Sequence, residues 1–161
     1  MKNILYTIIL SFLFSFSVFS YDTTKFKALI DAYRAGETGI KELKILAERG
    51  DVAAQLTLGF VYNRGMDVAQ DYQEAVKWYH LAAEQEDEAA QYELGYMYVY
   101  GEGVIQDYVL GYMWWNIAVS NGYEDAKKYI DFVESMMTPE QLAEAEKLAR
   151  ECIKKNYKDC G

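Results

Sequence analysis

The sequence has 161 residues, a net charge of −9 at pH 7 and a single histidine. A chain this acidic repels nucleic acid and anionic lipid, and one histidine excludes sites built from two imidazoles. With one proline, little β-branched alternation and abundant alanine, glutamate, leucine and tyrosine, the composition favours a largely helical single domain.

The first twenty residues have the pattern of a secretory signal peptide. Lys2 precedes an apolar run from Ile4 to Phe19, and Ser20 closes a small-residue cleavage pattern. A membrane anchor is the alternative, but this run is shorter than the ~20 apolar residues that span a bilayer. Cleavage near Ser20 removes one lysine and no acid, so the charge moves from −9 to −10. We expect a periplasmic or secreted protein without stable membrane insertion.

Residues 22–161 are predicted to form one repeat domain that opens with a degenerate hairpin, residues 22–49. The two helices of this hairpin are predicted at Asp22–Arg34 and Ile40–Arg49. Residues 50–85 and 86–121 then repeat each other, with 14 of 36 positions identical. A fixed period of this length is typical of stacked helical units that bury their apolar faces against neighbours.

Each repeat predicts two helices joined by a glycine-containing loop. In the first unit the helices run from about Val52 to Arg64 and from about Asp71 to Glu84. Glycine tolerates the positive φ that ends a helix, and aspartate is a good N-cap. The residues with these predicted roles are Gly65 and Gly101 as C-caps, Asp71 and Asp107 as N-caps, Glu74 as the second half of a capping box, and Gly59 and Gly95 as points of close helix approach.

The aromatic pair Trp114–Trp115 follows a glycine loop but predicts packing and not ligand binding. The pair aligns with the aromatic pair of the preceding unit, and the loop lacks the Gly-Lys-Ser/Thr ending of a phosphate cradle. His80 aligns with Asn116 and is predicted to face solvent.

The chain is predicted to end in a partial repeat and a capping helix, residues 122–161. Tyr123 to Met136 takes the first-helix position, and a closing helix follows Thr138, an N-cap that forms a capping box with Gln141. Cys152 and Cys160 are expected to form a disulfide in an oxidising compartment if the helix ends between them, near Asn156. Two unpaired thiols are the alternative.

The two complete units resemble Sel-one-like repeats (SLR), relatives of the tetratricopeptide repeat. The shared motif, A-x-x-x-L-G-x-x-Y-x-x-G-x-G-V-x-x-D-Y-x-x-A-x-x-W-x-x-x-A-A, is carried by AAQLTLGFVYNRG, VAQDYQEAVKWYHLAA and AAQYELGYMYVYGEGVIQDYVLGYMWWNIAVSNG. Departures occur at Asp67, Gly111 and Val119. The resemblance implies an all-α, right-handed α/α solenoid of helical hairpins that acts as a scaffold or adaptor. It also supports the disulfide, because secreted relatives sometimes bridge hairpins with cysteines at this spacing.

Aromatic side chains recur on the face of the first helices that this type of solenoid places on its concave side. Such side chains are expected to anchor a partner protein, and basic residues of the partner would add charge and cation–π contacts. Packing between neighbouring first helices is the alternative. The candidate partner-binding residues are Phe60, Tyr92, Tyr96, Val99 and Phe132.

No nucleophile motif, metal-ligand cluster or distinguished carboxylate pair occurs in the sequence after residue 20. We therefore expect a non-enzymatic scaffold that uses no cofactor or metal and binds a protein on its concave face. One alternative is an enzyme acting on cell-wall or β-lactam compounds, an activity proposed for some secreted relatives. A structural, self-associating protein is the other.

Overall fold

The computed structural model describes residues 37–161, and within that range the chain is helical and without strands. The expected signal peptide and the expected leading helix Asp22–Arg34 lie outside the described residues. The helices are α1 (Glu37–Glu48), α2 (Val52–Arg64), α3 (Tyr72–Ala83), α4 (Glu88–Tyr100), α5 (Tyr108–Ser120), the 3-10 helix η1 (Glu124–Ala126), α6 (Lys127–Glu134) and α7 (Pro139–Lys154).

The helix boundaries follow the predicted caps. The carboxylate of Asp71 accepts a hydrogen bond from the backbone N–H of Glu74 at 3.0 Å, and Asp107 caps α5 in the same way. Gly65 and Gly101 end α2 and α4 with φ of 64° and 70°. The predicted capping box at α3 is wrong in one half, because the Glu74 side chain pairs with Lys77 instead.

The two complete hairpins close where an aromatic ring of the second helix lies against a glycine of the first. A Cβ on Gly59 would lie 2.6 Å from the Tyr79 ring, and a Cβ on Gly95 would lie 2.3 Å from the Trp115 ring. Tyr79, Trp114 and Trp115 are completely buried. The predictions of close helix approach and of core tryptophans are therefore confirmed.

A buried glutamine on each of the first helices α2 and α4 joins its hairpin to the preceding one. Gln55 donates from Nε2 to the carbonyl of Ala47 at 3.0 Å, and Gln91 donates to the carbonyl of Ala83 at 3.3 Å. In each case the acceptor is at the end of the preceding second helix, where carbonyls lack intrahelical partners. The same bond thus recurs 36 residues later. The amide oxygens accept at 2.8 Å from Gln85 for Gln55 and at 3.0 Å from Asn121 for Gln91.

The C-terminal segment folds back under a disulfide. The capping box of Thr138 and Gln141 starts α7 as predicted, and after Lys154 the chain turns through residues with positive φ. Cys152 and Cys160 are bonded, with 5.4 Å between their Cα atoms, and both are buried. The prediction of a disulfide and of a helix end near Asn156 is confirmed.

One face of α1 has no cover among the described residues. Leu46 is 48% exposed, whereas Ala82 and Ala118, at the same position of the next two second helices, are completely buried. Each of α3 and α5 packs against the first helix of its own hairpin, α2 or α4. The helix predicted at that place before α1, Asp22–Arg34, lies outside the described residues.

We expect Gly95→Ala to destabilise the fold by about 1–3 kcal/mol, because the added methyl group overlaps the buried Trp115 ring. This cost exceeds the ~1 kcal/mol that alanine gains over glycine in a helix. Urea denaturation followed by circular dichroism measures the change. Gln73→Ala, at an exposed position of α3, is the control and should shift stability by less than ~0.5 kcal/mol. An unchanged or raised stability of Gly95→Ala would contradict the close packing.

Replacing both Cys152 and Cys160 with serine should lower the free energy of unfolding by ~2.5 kcal/mol, the loop-closure entropy of so short a loop. A thiol reductant should destabilise the wild type by a similar amount. The double variant should not respond to the reductant, and a response there would show that the reductant acts elsewhere.

Candidate protein-binding face

Three first helices present side chains at the same three positions of the 36-residue unit, spaced i, i+3 and i+7. Residues at this spacing lie on one face of a helix, and here that face points away from the glycines that contact the second helices. We call these nine positions the first-helix face. Its rows are Thr57, Phe60 and Arg64 on α2; Glu93, Tyr96 and Tyr100 on α4; and Tyr129, Phe132 and Met136 on and after α6.

Exposure on the first-helix face increases toward the C-terminal ends of the helices. Thr57 is buried and Tyr96 is partly buried, whereas Tyr100, Phe132 and Met136 are 47%, 46% and 48% exposed. Large apolar side chains so open to water on one repeated helical face are typical of binding surfaces. Tyr100 and Met136 are not among the candidates named from the sequence, although both lie on the helical face of the candidates, at intervals of 36 residues from Arg64.

Two of the predicted partner-binding residues are not accessible. Tyr92 is 9% exposed, with its ring stacked on Tyr123 at 4.7 Å between centroids and 5.5 Å from the Tyr129 ring. Val99 is 2% exposed and lies against Gly111, where a Cβ would be 2.4 Å from its methyl group. The prediction that Tyr92 and Val99 contact a partner is therefore wrong, because neighbouring elements cover both side chains.

Phe60, Tyr96 and Phe132 remain candidates, since the structure leaves each of them at least partly exposed. The Phe60 ring has the guanidinium carbon of Arg64 5.5 Å from its centroid. The Tyr96 ring lies 4.4 Å from the ring of Tyr100. Each of these two rings therefore has a neighbour beside it, which reduces the conformational freedom that a partner would have to remove.

Glu93 is the acidic residue of the first-helix face. Burial raises the pKa of its carboxyl group to about 7, while the charge of Arg64 lowers this pKa and that of Glu102 raises it. The equivalent residues in the neighbouring units are Thr57 and Tyr129, so nothing in the repeat pattern predicted an acid here. A partly buried carboxyl group on a helical face that also carries aromatic side chains is suited to accept a positively charged group.

His80 does not face solvent as predicted. Its ring is partly buried, lies edge-on to Trp114 at 5.6 Å between centroids, and has Nε2 3.4 Å from the hydroxyl group of Tyr98. Burial lowers the pKa of His80, so the neutral imidazole is favoured. The alignment with Asn116 therefore gave a wrong prediction of solvent exposure, because α4 of the following unit lies over His80.

Residues 37–161 contain no group of three His, Cys, Asp or Glu side chains placed to hold a metal ion. Within the same range no helix is both long and apolar enough to cross a bilayer.

Comparison with known proteins identifies the repeat. Residues 52–87 and 88–123 each match the family model of the Sel1 repeat. A Sel1 repeat protein from Oxalobacter formigenes is 39% identical in sequence, with a TM-score of 0.56, and the match covers 58% of this chain and 70% of that protein. The chain belongs to the Sel1 repeat family. This confirms both the resemblance found in the sequence and the helical solenoid.

A second Sel1-like structure is a protective antigen with an SLR fold from uropathogenic Escherichia coli strains. It is 34% identical, with a TM-score of 0.71, and the match covers 76% of this chain but only 26% of the antigen, so this chain spans about a quarter of its length. No curated protein matches the sequence significantly. Sel1 repeats generally serve as protein-interaction scaffolds, and their fold is typically non-enzymatic.

We expect the stability of the wild type to fall as pH rises from about 4.5 to 7, through the effect of Glu93. Its carboxyl group holds a proton in the folded state at pH values where the unfolded chain has already lost it, so deprotonation favours unfolding. Glu93→Gln should remove this loss and be about 1–2 kcal/mol more stable than the wild type at pH 8, with allowance for partial exposure.

Urea denaturation at pH 5, 6, 7 and 8 measures the difference between Glu93→Gln and the wild type. Glu88→Gln, in the first turn of the same helix, is the control and should leave the pH dependence of the wild type in place. Parallel curves for Glu93→Gln and wild type would show that Glu93 titrates normally.

Proposed function

We propose that this Sel1 repeat chain is a non-enzymatic scaffold that binds a segment of another protein on the first-helix face, which lies on the concave side in this type of solenoid. The observation that carries the proposal is the set of open apolar side chains at repeated positions of the first helices, Tyr100, Phe132 and Met136, together with the half-buried Phe60 and Tyr96. Aromatic side chains held in place by their neighbours are the usual anchors of protein interfaces.

A basic partner fits the charge of the chain better than an acidic or neutral one. The net charge of −9 would speed the approach of a positively charged protein, and Glu93 offers a carboxyl group on the face itself. For the same reason the proposed partner is a protein and not a nucleic acid.

The proposed location is the periplasm or the cell exterior, after cleavage near Ser20. The bonded pair Cys152–Cys160 supports it, because disulfides persist mainly in oxidising compartments. The pattern of the first twenty residues supports it independently.

Photocrosslinking in cells that produce the chain tests the proposed face. A photoreactive phenylalanine derivative placed at Tyr100 or Phe132 should crosslink to another protein. The same group at Leu81, an exposed apolar position on the second helix α3, should not. If the only crosslinks are to a second copy of the chain, the protein self-associates and the proposed scaffold function is wrong. Equal crosslinking at Leu81 would show that the first-helix face is not the binding surface.

Phe132→Ala should weaken the binding of the crosslinked partner about tenfold or more, as expected for an interface anchor. Because Phe132 is half exposed, the free energy of unfolding should change by less than ~1 kcal/mol. Isothermal titration calorimetry and urea denaturation give the two quantities. Unchanged affinity, or a large loss of stability, would show that Phe132 is not a binding residue.

A further inference from the structure

We infer that Glu93 is the residue of the first-helix face that recognises a lysine or arginine side chain of the partner protein. This inference rests on the proposed function, and it adds the chemistry of the bound segment: an apolar stretch with one basic residue. Nothing in the repeat requires an acid at this position, which is threonine in the preceding unit and tyrosine in the following one.

Glu93 places a carboxylate on the same helical face as the aromatic side chains of Tyr96 and Tyr100, whose rings lie 4.4 Å apart. A carboxylate and aromatic rings are the two features that hold an ammonium or guanidinium group in proteins. Tyr96 lies one turn further along α4 on the same face. Tyr123 is close enough for the charge of Glu93 to act on its hydroxyl group. A basic side chain that enters the first-helix face would therefore end at the carboxylate with rings beside its alkyl stem.

Arg64 does not fill this role within the chain. Its side chain is exposed and its guanidinium lies at the Phe60 ring, 5.5 Å from the centroid. The charge of Arg64 offsets the burial of Glu93 only in part, since the pKa of the carboxyl group still stands at about 7. A cation from the partner would supply the compensation that the free chain lacks.

The protonation of Glu93 determines how the affinity for the partner should change with pH. Near neutral pH a substantial fraction of Glu93 carries a proton, and a partner cation must displace it to form the ion pair. The affinity should therefore rise about tenfold between pH 6 and pH 8 and level off above. If the partner instead placed a carbonyl group at Glu93, the protonated carboxyl group would donate to it, and the affinity would fall with rising pH.

Burial raises the pKa values of Tyr92, Tyr96 and Tyr123, so these hydroxyl groups stay neutral between pH 6 and pH 8. Glu93→Gln separates the titration of Glu93 from that of the other charged and titratable groups around it. The groups are Arg64 on α2; Tyr92 and Tyr96 on α4; Glu102 in the α4–α5 loop; Tyr123 before η1; and Lys128 and Tyr129 on α6.

Selection of displayed random twelve-residue peptides on the disulfide-bonded chain at pH 8 tests the inference. Only clones that lose binding to Phe132→Ala or Tyr100→Ala are kept, since these use the first-helix face. Such clones should be enriched in lysine or arginine at one position. Selection on Glu93→Gln should give no such enrichment.

One selected peptide then enters a double-mutant cycle. Replacing its basic residue by norleucine should cost about tenfold in affinity on the wild type at pH 8 and little on Glu93→Gln. Glu93→Thr, which copies the first unit, should behave like Glu93→Gln. Glu88→Gln, in the first turn of the same helix, is the matched control, and it should keep both the preference for the basic residue and the rise of affinity with pH.

The outcomes separate the inference from the proposed function. Peptides that use the first-helix face but show no basic preference, or whose pH dependence survives Glu93→Gln, overturn the role of Glu93 and leave the binding face intact. If no clone depends on Phe132 or Tyr100, the binding face itself is wrong, and the inference fails with it.

Discussion

The contact of one aromatic ring with one glycine sets the distance between the two helices of each complete hairpin. Tyr79 on Gly59 and Trp115 on Gly95 leave no room for a side chain, so each pair approaches more closely than two ordinary helices would. The ring also fixes the rotation of the first helix about its axis. The positions opposite the glycine must then point away from the hairpin, and these are the positions that form the first-helix face.

Most of the fold could be predicted from the sequence because its determinants are local. Asp107 caps a helix and Gly101 ends one through the short-range geometry of a few residues, whatever the neighbouring repeats do. The period of 36 residues then transfers each assignment from one unit to the next. The hydrogen bonds of Gln55 and Gln91 between hairpins could not be predicted, although the glutamine recurs in both units. A polar residue on a helix does not by itself indicate whether its side chain is buried.

The candidate site was harder to predict because the exposure of its side chains depends on residues from neighbouring repeat units. Helical spacing gives the direction of Tyr92 correctly, but Tyr123 and Tyr129 arrive from the next unit and cover it. Glu93 could not be predicted from the repeat at all, since its position holds a different residue in each unit. Residues that depart from a repeat are where function is expected, and Glu93 is such a residue, with burial raising the pKa of its carboxyl group.

The glutamine bond between hairpins makes the architecture modular. Each glutamine requires only a helix terminus on one side and an amide donor on the other, and both are supplied by any unit of the same design. A duplicated unit inserted between Gln85 and Glu86 would therefore find compatible partners at both of its junctions. A single duplication would lengthen the first-helix face by one row of side chains. The length of the protein segment that the solenoid can bind would then grow with the number of repeats.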